Sequence, residues 1–345
     1  MAELLRLHDE PCLHLDETLV HRILVDHIDE LTARTEKILT GVTDADAASR
    51  PESFGGKDLF YFDGVPGDLR VMPYSDGQQM TVKVIGTNEA RTEVPDKISV
   101  GKCLLIHPQD HYVMGVLDVA ALSSLRTAIG ILLGRQAAFT GEAPAPRLGI
   151  VGAGRVGFYT ALAFQRAGLI DSCAVFDPAP GAVERMRELC RLESGPAVVP
   201  CSSLAELLSR CDTVVLATDA RRPVLGRADI DTYGLRFVAS VGADADNLRE
   251  LDDDVPTAPV SFLVGSPLCF CLGDLKRWQQ RDLLRPDGVT YLHQALGSPR
   301  ASAGATCYIS TGFPMLDHAA ATLAYEIATA HGLGRSLTPP LRTAR

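Results

Sequence analysis

The chain has 345 residues, 46% of them hydrophobic and 22% charged, and carries a net charge of −10 at pH 7. That length is too great for a peptide or a disulfide-framed mini-protein and suits about two domains of roughly 100 to 200 residues. The acidic balance repels phosphate backbones and anionic lipid, so neither nucleic acid nor a membrane surface is an expected partner.

No apolar run approaches the roughly 20 residues of a bilayer span, and Met1-Ala2-Glu3-Leu4-Leu5-Arg6 lacks a signal-peptide core, which predicts a cytoplasmic protein. The nine cysteines are scattered, and Cys269-Phe270-Cys271 has no second pair to complete a zinc site, so reduced structural thiols are expected. His107 and His111 stand four apart, but Pro108-Gln109-Asp110 between them signals a turn, and no metal is expected.

In chain order, the first helix is predicted over 16–41, capped by Asp16, with Val20, Leu24, Ile28, Leu31 and Ile38 on one apolar face. Residues 45–67, rich in Asp, Gly, Pro and Ser, read as a loop or an irregular edge. Short β-type runs follow at 80–85, 102–106 and 112–117, the last two joined by a turn at 107–111, which predicts an antiparallel meander. Leu122, Leu125, Ile129, Leu132 and Leu133 then repeat with a helical period over 120–139, and the Pro-containing stretch 140–146 reads as a hinge.

Beyond it, strands at 148–151, 174–176, 197–199, 213–217, 237–241 and 262–264 are interleaved with helices at 154–167, 181–192 and 204–209, and a last helix covers 313–332. This alternation predicts an α/β fold: a doubly wound Rossmann-type parallel sheet domain over 129–316, plus a second α+β domain formed by 1–128 with 317–345.

Gly152-Ala153-Gly154-Arg155-Val156-Gly157 follows an apolar strand and opens a helix, the setting in which G-x-G-x-x-G holds a dinucleotide. Gly152 permits the tight turn, Gly154 lets a pyrophosphate approach the backbone at the helix N-terminus, and Gly157 allows close helix-to-strand packing. The second strand ends at Asp177, whose carboxylate suits the ribose hydroxyls. Pro178 and Ala179 follow it, so a 2′-phosphate would meet an anion with no adjacent cation, and NAD is expected in preference to NADP. A structural glycine turn that binds nothing is the plainer alternative.

Arg70-Val71-Met72-Pro73, Lys83, Leu125-Arg126-Thr127-Ala128, Gly152-Ala153-Gly154, Val241-Gly242-Ala243-Asp244 and Ser310-Thr311-Gly312 occur in an order that resembles the ornithine cyclodeaminase and μ-crystallin family over about residues 5–332. The resemblance implies a homodimer in which the α+β domain binds substrate and supplies the dimer surface. It also implies that Lys83 sits over the substrate carboxylate or carbonyl and that Asp244 is the catalytic acid/base. Ser99, Arg126, Thr127, Thr218, Val241 and Ser310 join the glycine loop and Asp177 as cofactor-contacting positions, and Thr311 lies near the substrate.

Plainer readings stay open beside these roles. Lys83 suits a solvated strand lysine, Asp244 a cap for 245–251 with Asp246 competing, and Arg126 an exposed helix residue. Two departures bear on substrate. Arg70 stands where the cyclodeaminases carry a carboxylate before Leu-Met-Pro, so a substrate-lining Arg70 would favour a second carboxylate over a diamine. Val84-Ile85-Gly86-Thr87-Asn88 looks closer to the secondary-amine branch that forms 2,3-diaminopropionate. The resulting expectation is an NAD-dependent oxidoreductase acting on the C–N bond of an amino acid or amino-acid-derived secondary amine or imine. The rivals are a cyclodeaminase with recycled NAD, an imine reductase, and a μ-crystallin-like protein that binds NAD(P)H and a small ligand.

Overall fold

The computed structural model describes residues 10–43, 54–87, 99–139, 145–257, 259–297 and 304–337. Residues 45–53 of the loop predicted over 45–67, Asn88 and most of the predicted hinge (140–144) lie outside them.

Strand β1 (Leu13–Leu15) leads into helix α1 (Glu17–Asp26), and Asp16 caps that helix by accepting the Leu19 N–H at 2.9 Å. The single helix predicted over 16–41 is two helices. His27 leaves the helical region at φ −123°, ψ 34°, its Nδ1 lies 2.8 Å from the Ile23 carbonyl oxygen, and α2 (Ile28–Thr40) begins afresh. Apolar periodicity hides this break because Val20, Ile23, Leu24, Ile28, Leu31 and Leu39 are all buried and neither Gly nor Pro marks the junction.

Strands β2 (Asp58–Phe60), β3 (Asp68–Ser75), β4 (Met80–Thr87), β5 (Ser99–Ile106) and β6 (Val113–Asp118) pair antiparallel in sequence order. Strand β1 adds to β6 in parallel, and Arg335–Ser336 pairs with β1 at the edge. The expected meander is thus present and larger than expected. Strand β3 is obscured in the sequence by Pro73, which the sheet tolerates because β2 pairs only with residues 69–71. Alternation puts Asp68, Arg70, Met72 and Tyr74 of β3 and Thr81, Lys83 and Ile85 of β4 on the buried face.

Helix α3 (Ala120–Ala138) precedes a parallel sheet built from β7 (Leu148–Val151), α4 (Arg155–Arg166), β8 (Ser172–Phe176), α5 (Ala182–Leu192), β9 (Ala197–Pro200), α6 (Leu204–Arg210), β10 (Thr213–Leu216), α7 (Arg227–Tyr233) and β11 (Phe237–Ser240). After β12 (Ser261–Val264) come α8 (Gly273–Gln280), β13 (Thr290–Tyr291), α9 (Leu292–Gly297), β14 (Thr306–Ile309) and α10 (Pro314–Ala330).

The strand order is β13-β12-β14-β11-β10-β7-β8-β9, all parallel, which makes this the expected doubly wound sheet. Strand β14 is absent from the sequence expectation although it lies between β11 and β12. Its four residues are all buried, so it shows no alternation.

Two compact units result: Met1–His27 with Gly55–Ser123 and Asp317–Arg345, and Ile28–Phe54 with Ser124–Leu316. The sequence-based boundaries assign residues 28–54 to the first domain. In the structure α2 packs on α9 and α4 and belongs to the second unit. No helix among the described residues is long and apolar enough to cross a membrane. All nine cysteines are free, and no cluster of metal-ligating side chains occurs among the described residues.

Candidate functional site

In the second unit, the loop from β7 to α4 gives each glycine of the motif a separate task. Gly152 has φ +103°, and a Cβ there would lie 2.3 Å from the Ala217 carbonyl oxygen, so only glycine suits this turn. At Gly157 a Cβ would lie 2.3 Å from the Gly152 carbonyl oxygen, which enforces the close helix-to-strand contact. Gly154 differs: it caps α4 in an extended conformation, and a Cβ there would meet nothing within 4 Å. Its missing side chain leaves space above the helix N-terminus, flanked by half-buried Arg155 and Val156, where backbone N–H groups and the helix dipole favour a phosphate. Asp177 follows β8, and its carboxylate accepts the Ala153 N–H and the Ala179 N–H, both at 2.8 Å. These residues fit a dinucleotide, whose pyrophosphate suits an open helix N-terminus and whose ribose suits a carboxylate at the end of the neighbouring strand.

The carboxyl ends of β10 and β11 carry the next group. Val241 continues β11 and donates its N–H to Leu216 at 3.1 Å. Gly242 comes so close to its neighbours that a Cβ would lie 2.1 Å from the Thr218 carbonyl oxygen and 2.4 Å from Glu250 Oε1. Half-buried Asp244 donates its N–H to the Gly242 carbonyl at 2.8 Å. No helix starts after Asp244, so the capping alternative falls, and Asp246 is committed to Lys276 at 2.6 Å. Sequence reasoning missed Glu250, a fully buried carboxylate that accepts N–H and O–H bonds from Thr218, Ser240 and Gly242.

Arg126 is buried, not a surface helix residue. Its guanidinium lies against Gly312, where φ is +77° and a Cβ would lie 2.8 Å from Nη1. Thr127 beside it is half-buried. Ser310 and Thr311 leave β14 buried: the Ser310 hydroxyl accepts the Gly312 N–H at 3.2 Å, and the Thr311 hydroxyl donates to the Cys269 carbonyl at 3.4 Å. Arg126 and the Ser310-Thr311-Gly312 turn therefore form one cluster.

In the first unit, Lys83 is only 1% exposed, and its Nζ lies 2.7 Å from Asp317 Oδ2 and 3.4 Å from the Ser123 hydroxyl. A solvated lysine is thereby excluded. The cross-strand neighbour Cys103 feels both charges; burial, with Asp317 adding to it, pushes its thiol well above the ordinary range. Asp317 was not anticipated, although a carboxylate in the first turn of the largely apolar α10 was a usable signal.

Arg70 is also buried, in a two-pronged ion pair with Asp68 (Nε–Oδ1 2.6 Å, Nη2–Oδ2 3.0 Å). This pairing offsets the positive charge on which the expected preference for a second carboxylate rests. Ser99 opens β5, half-buried opposite Thr87.

A doubly wound sheet with this glycine turn, joined in one chain to a mixed sheet that buries a lysine, defines the class of two-unit Rossmann-type α/β proteins. The chain belongs to the ornithine cyclodeaminase/mu-crystallin family, whose model matches residues 57–332. It is 24% identical over 285 residues to alanine dehydrogenase of Archaeoglobus fulgidus, covering 80% of this chain and 85% of that protein. Among solved structures it is similar to Thermococcus litoralis Δ1-pyrroline-2-carboxylate reductase in complex with NADH and L-proline (TM-score 0.79, 18% identity, 94% of this chain and 99% of that one). An archaeal alanine dehydrogenase dimer with bound NAD gives a TM-score of 0.79 at 20% identity, covering 96% and 100%.

Proposed function

We propose that this chain is an NAD-dependent oxidoreductase acting on the C–N bond of an amino acid or an amino-acid-derived secondary amine or imine. The observation that carries the reading is the loop after β7, where Gly154 leaves open space at a helix N-terminus and Asp177 stands at the end of the neighbouring strand. Family membership and relatives described as an alanine dehydrogenase and an NADH-bound pyrroline-carboxylate reductase support it. The absence of a cation directly after Asp177 favours NAD over NADP.

In this reading the second unit binds the nucleotide and the first binds substrate and supplies a dimer surface. Bound NAD supplies the hydride acceptor or donor. Lys83 binds the substrate carboxylate and polarises the reacting carbon, with Asp317 holding its ammonium in place. Asp244 takes the proton that leaves the amine as Cα–H is lost and the C=N bond forms, and afterwards serves the water or amine that attacks the imine. Ser99, Arg126, Thr127, Thr218, Val241 and Ser310 are the candidate nucleotide contacts, and Thr311 and Arg70 the candidate substrate contacts. The protein works in the cytoplasm.

The test is to incubate the purified chain with NAD and a panel of amino acids and secondary amines, following NADH absorbance and ammonia together. Net NADH formation supports the dehydrogenase reading. Ammonia without NADH moves the chain to the cyclodeaminases, and NADH consumption with imines alone moves it to the reductases. Binding without any turnover would refute an enzyme.

A further inference from the structure

Glu250 lies outside every role assigned above, yet its fully buried carboxylate accepts four hydrogen bonds. Its Oε1 accepts the Thr218 N–H at 2.7 Å and the Thr218 hydroxyl at 2.9 Å. Its Oε2 accepts the Ser240 hydroxyl at 2.7 Å and the Gly242 N–H at 2.9 Å. Each oxygen therefore holds one backbone N–H and one hydroxyl, the first pair from Thr218, two residues after β10, and the second from Ser240 at the end of β11 and Gly242 just beyond it.

The glutamate is itself held. Its carbonyl accepts the N–H groups of Val224 and Leu225 at 2.9 and 3.1 Å. Asp274 Oδ2 accepts the N–H groups of Glu250 and Leu251 at 3.0 and 2.9 Å, and Arg277 donates to Asp274 Oδ1 at 2.8 Å. Burial pushes the Glu250 carboxyl above its ordinary range, opposed by the four donors. A carboxylate retained in so dry a place is costly unless its geometry is needed.

We propose that Glu250 is a positioning residue that ties the loops after β10 and β11 together, so that Thr218 on the nucleotide side and Gly242-Ala243-Asp244 on the proton-transfer side share one anchor. The inference rests on the functional reading above and extends it to a residue without contact to substrate or cofactor. Gly242 is glycine for the same reason: the two loops approach until no Cβ fits.

The decisive variant is Glu250→Gln, which keeps size and shape but accepts at one end only. Either orientation of the amide sets its NH2 group against a backbone N–H, of Thr218 or of Gly242. NAD affinity, measured by equilibrium titration without substrate, should weaken about ten- to a hundredfold, and kcat at saturating NAD should fall by at least about tenfold, with the substrate KM nearly unchanged. Ser240→Ala removes a hydroxyl donor but spares both backbone N–H bonds, and should move either quantity less than about threefold.

If Glu250→Gln does not fold, Glu250→Asp keeps the charge but is one methylene too short to serve both loops, and should weaken NAD by about three- to tenfold. Thermal destabilisation of the variants with wild-type NAD affinity and kcat would mark Glu250 as merely structural and overturn the proposal. Failure of the unmodified chain to bind NAD would overturn the functional reading and this proposal with it. Unchanged values in the variants overturn the proposal alone.

Discussion

Lys83 and Asp317 give the sharpest test of how this fold carries charge. Both side chains are 1% exposed and their charged atoms are 2.7 Å apart. At an effective dielectric constant of about 20, that separation corresponds to roughly 6 kcal/mol of gross attraction, offset by several kcal/mol of desolvation for each ion. Removing one partner leaves the desolvation without the attraction, so Lys83→Met and Asp317→Asn should each destabilise by about 3 to 5 kcal/mol. The double variant Lys83→Met/Asp317→Leu should cost less than the sum of the single changes by about 2 kcal/mol or more, because neither charge is left alone. Urea midpoints at one fixed protein concentration measure this, with unchanged slopes required for the comparison. Turnover separates stability from chemistry: the double variant should regain the fold yet stay inactive, while still binding NAD. Additive single costs below about 1 kcal/mol would refute the buried pair.

Four further outcomes follow from the same geometry. Asp177→Ala should weaken NAD by about 1 to 3 kcal/mol and leave NADP affinity unchanged or improved, as isothermal titration with both cofactors would reveal. Gly154→Ala should keep the melting temperature but weaken NAD, whereas Gly157→Ala should lower the melting temperature of the free protein, since only its added Cβ meets the Gly152 carbonyl. Asp244→Asn should reduce kcat by about two to four orders of magnitude with NAD affinity nearly constant; near-normal turnover would exclude Asp244 as the base. Burial raises the Asp253 carboxyl, but the Arg277 hydrogen bond and the charges of Arg277, Arg249 and Arg281 outweigh it and hold the group below its ordinary range. Its stabilisation is therefore present above the unfolded-state pKa and lost as pH falls through the folded one. Asp253→Asn should cost about 1 kcal/mol near neutrality, after solvent screening, and the gap in melting temperature should close in acid.

The parallel sheet was legible because its apolar strands are separated by glycine turns and helices of ordinary length, and the nucleotide loop because Gly152 and Gly157 answer steric demands of the chain itself while Gly154 leaves the helix N-terminus open. What stayed hidden depended on contacts distant along the chain. The break at His27 lies inside a continuous apolar pattern. Strand β14 is too short and too evenly buried to show a period. Lys83 stood out through the family resemblance, but Asp317 is 234 positions away, and only the fold brings α10 to β4. Arg70 was legible as a departure in charge, while Asp68, two residues before it on the same strand face, was passed over although a period of two aligns them. Glu250 looked like one acid in an acidic stretch, and nothing in 244–254 signals which carboxylate turns inward.

These hidden residues share a physical character. Asp68, Arg70, Lys83 and Asp317 in one unit, and Glu250 and Asp274 in the other, are charged groups at 8% exposure or less, each with a partner of opposite charge or a set of directed donors. A fold selected for stability alone would do as well or better with apolar residues of similar volume at such positions, because a buried ion pair seldom recovers its desolvation. Retaining them is explained when a charge must be held in a fixed place in the absence of water, which is what substrate binding and proton transfer require. The paired state of Arg70 also bears on the substrate preference proposed for it. With Asp68 already matching the guanidinium, an ammonium brought to Arg70 would meet a neutral pair and not a bare cation, so any repulsion of diamines there would be weaker than the sequence alone suggests.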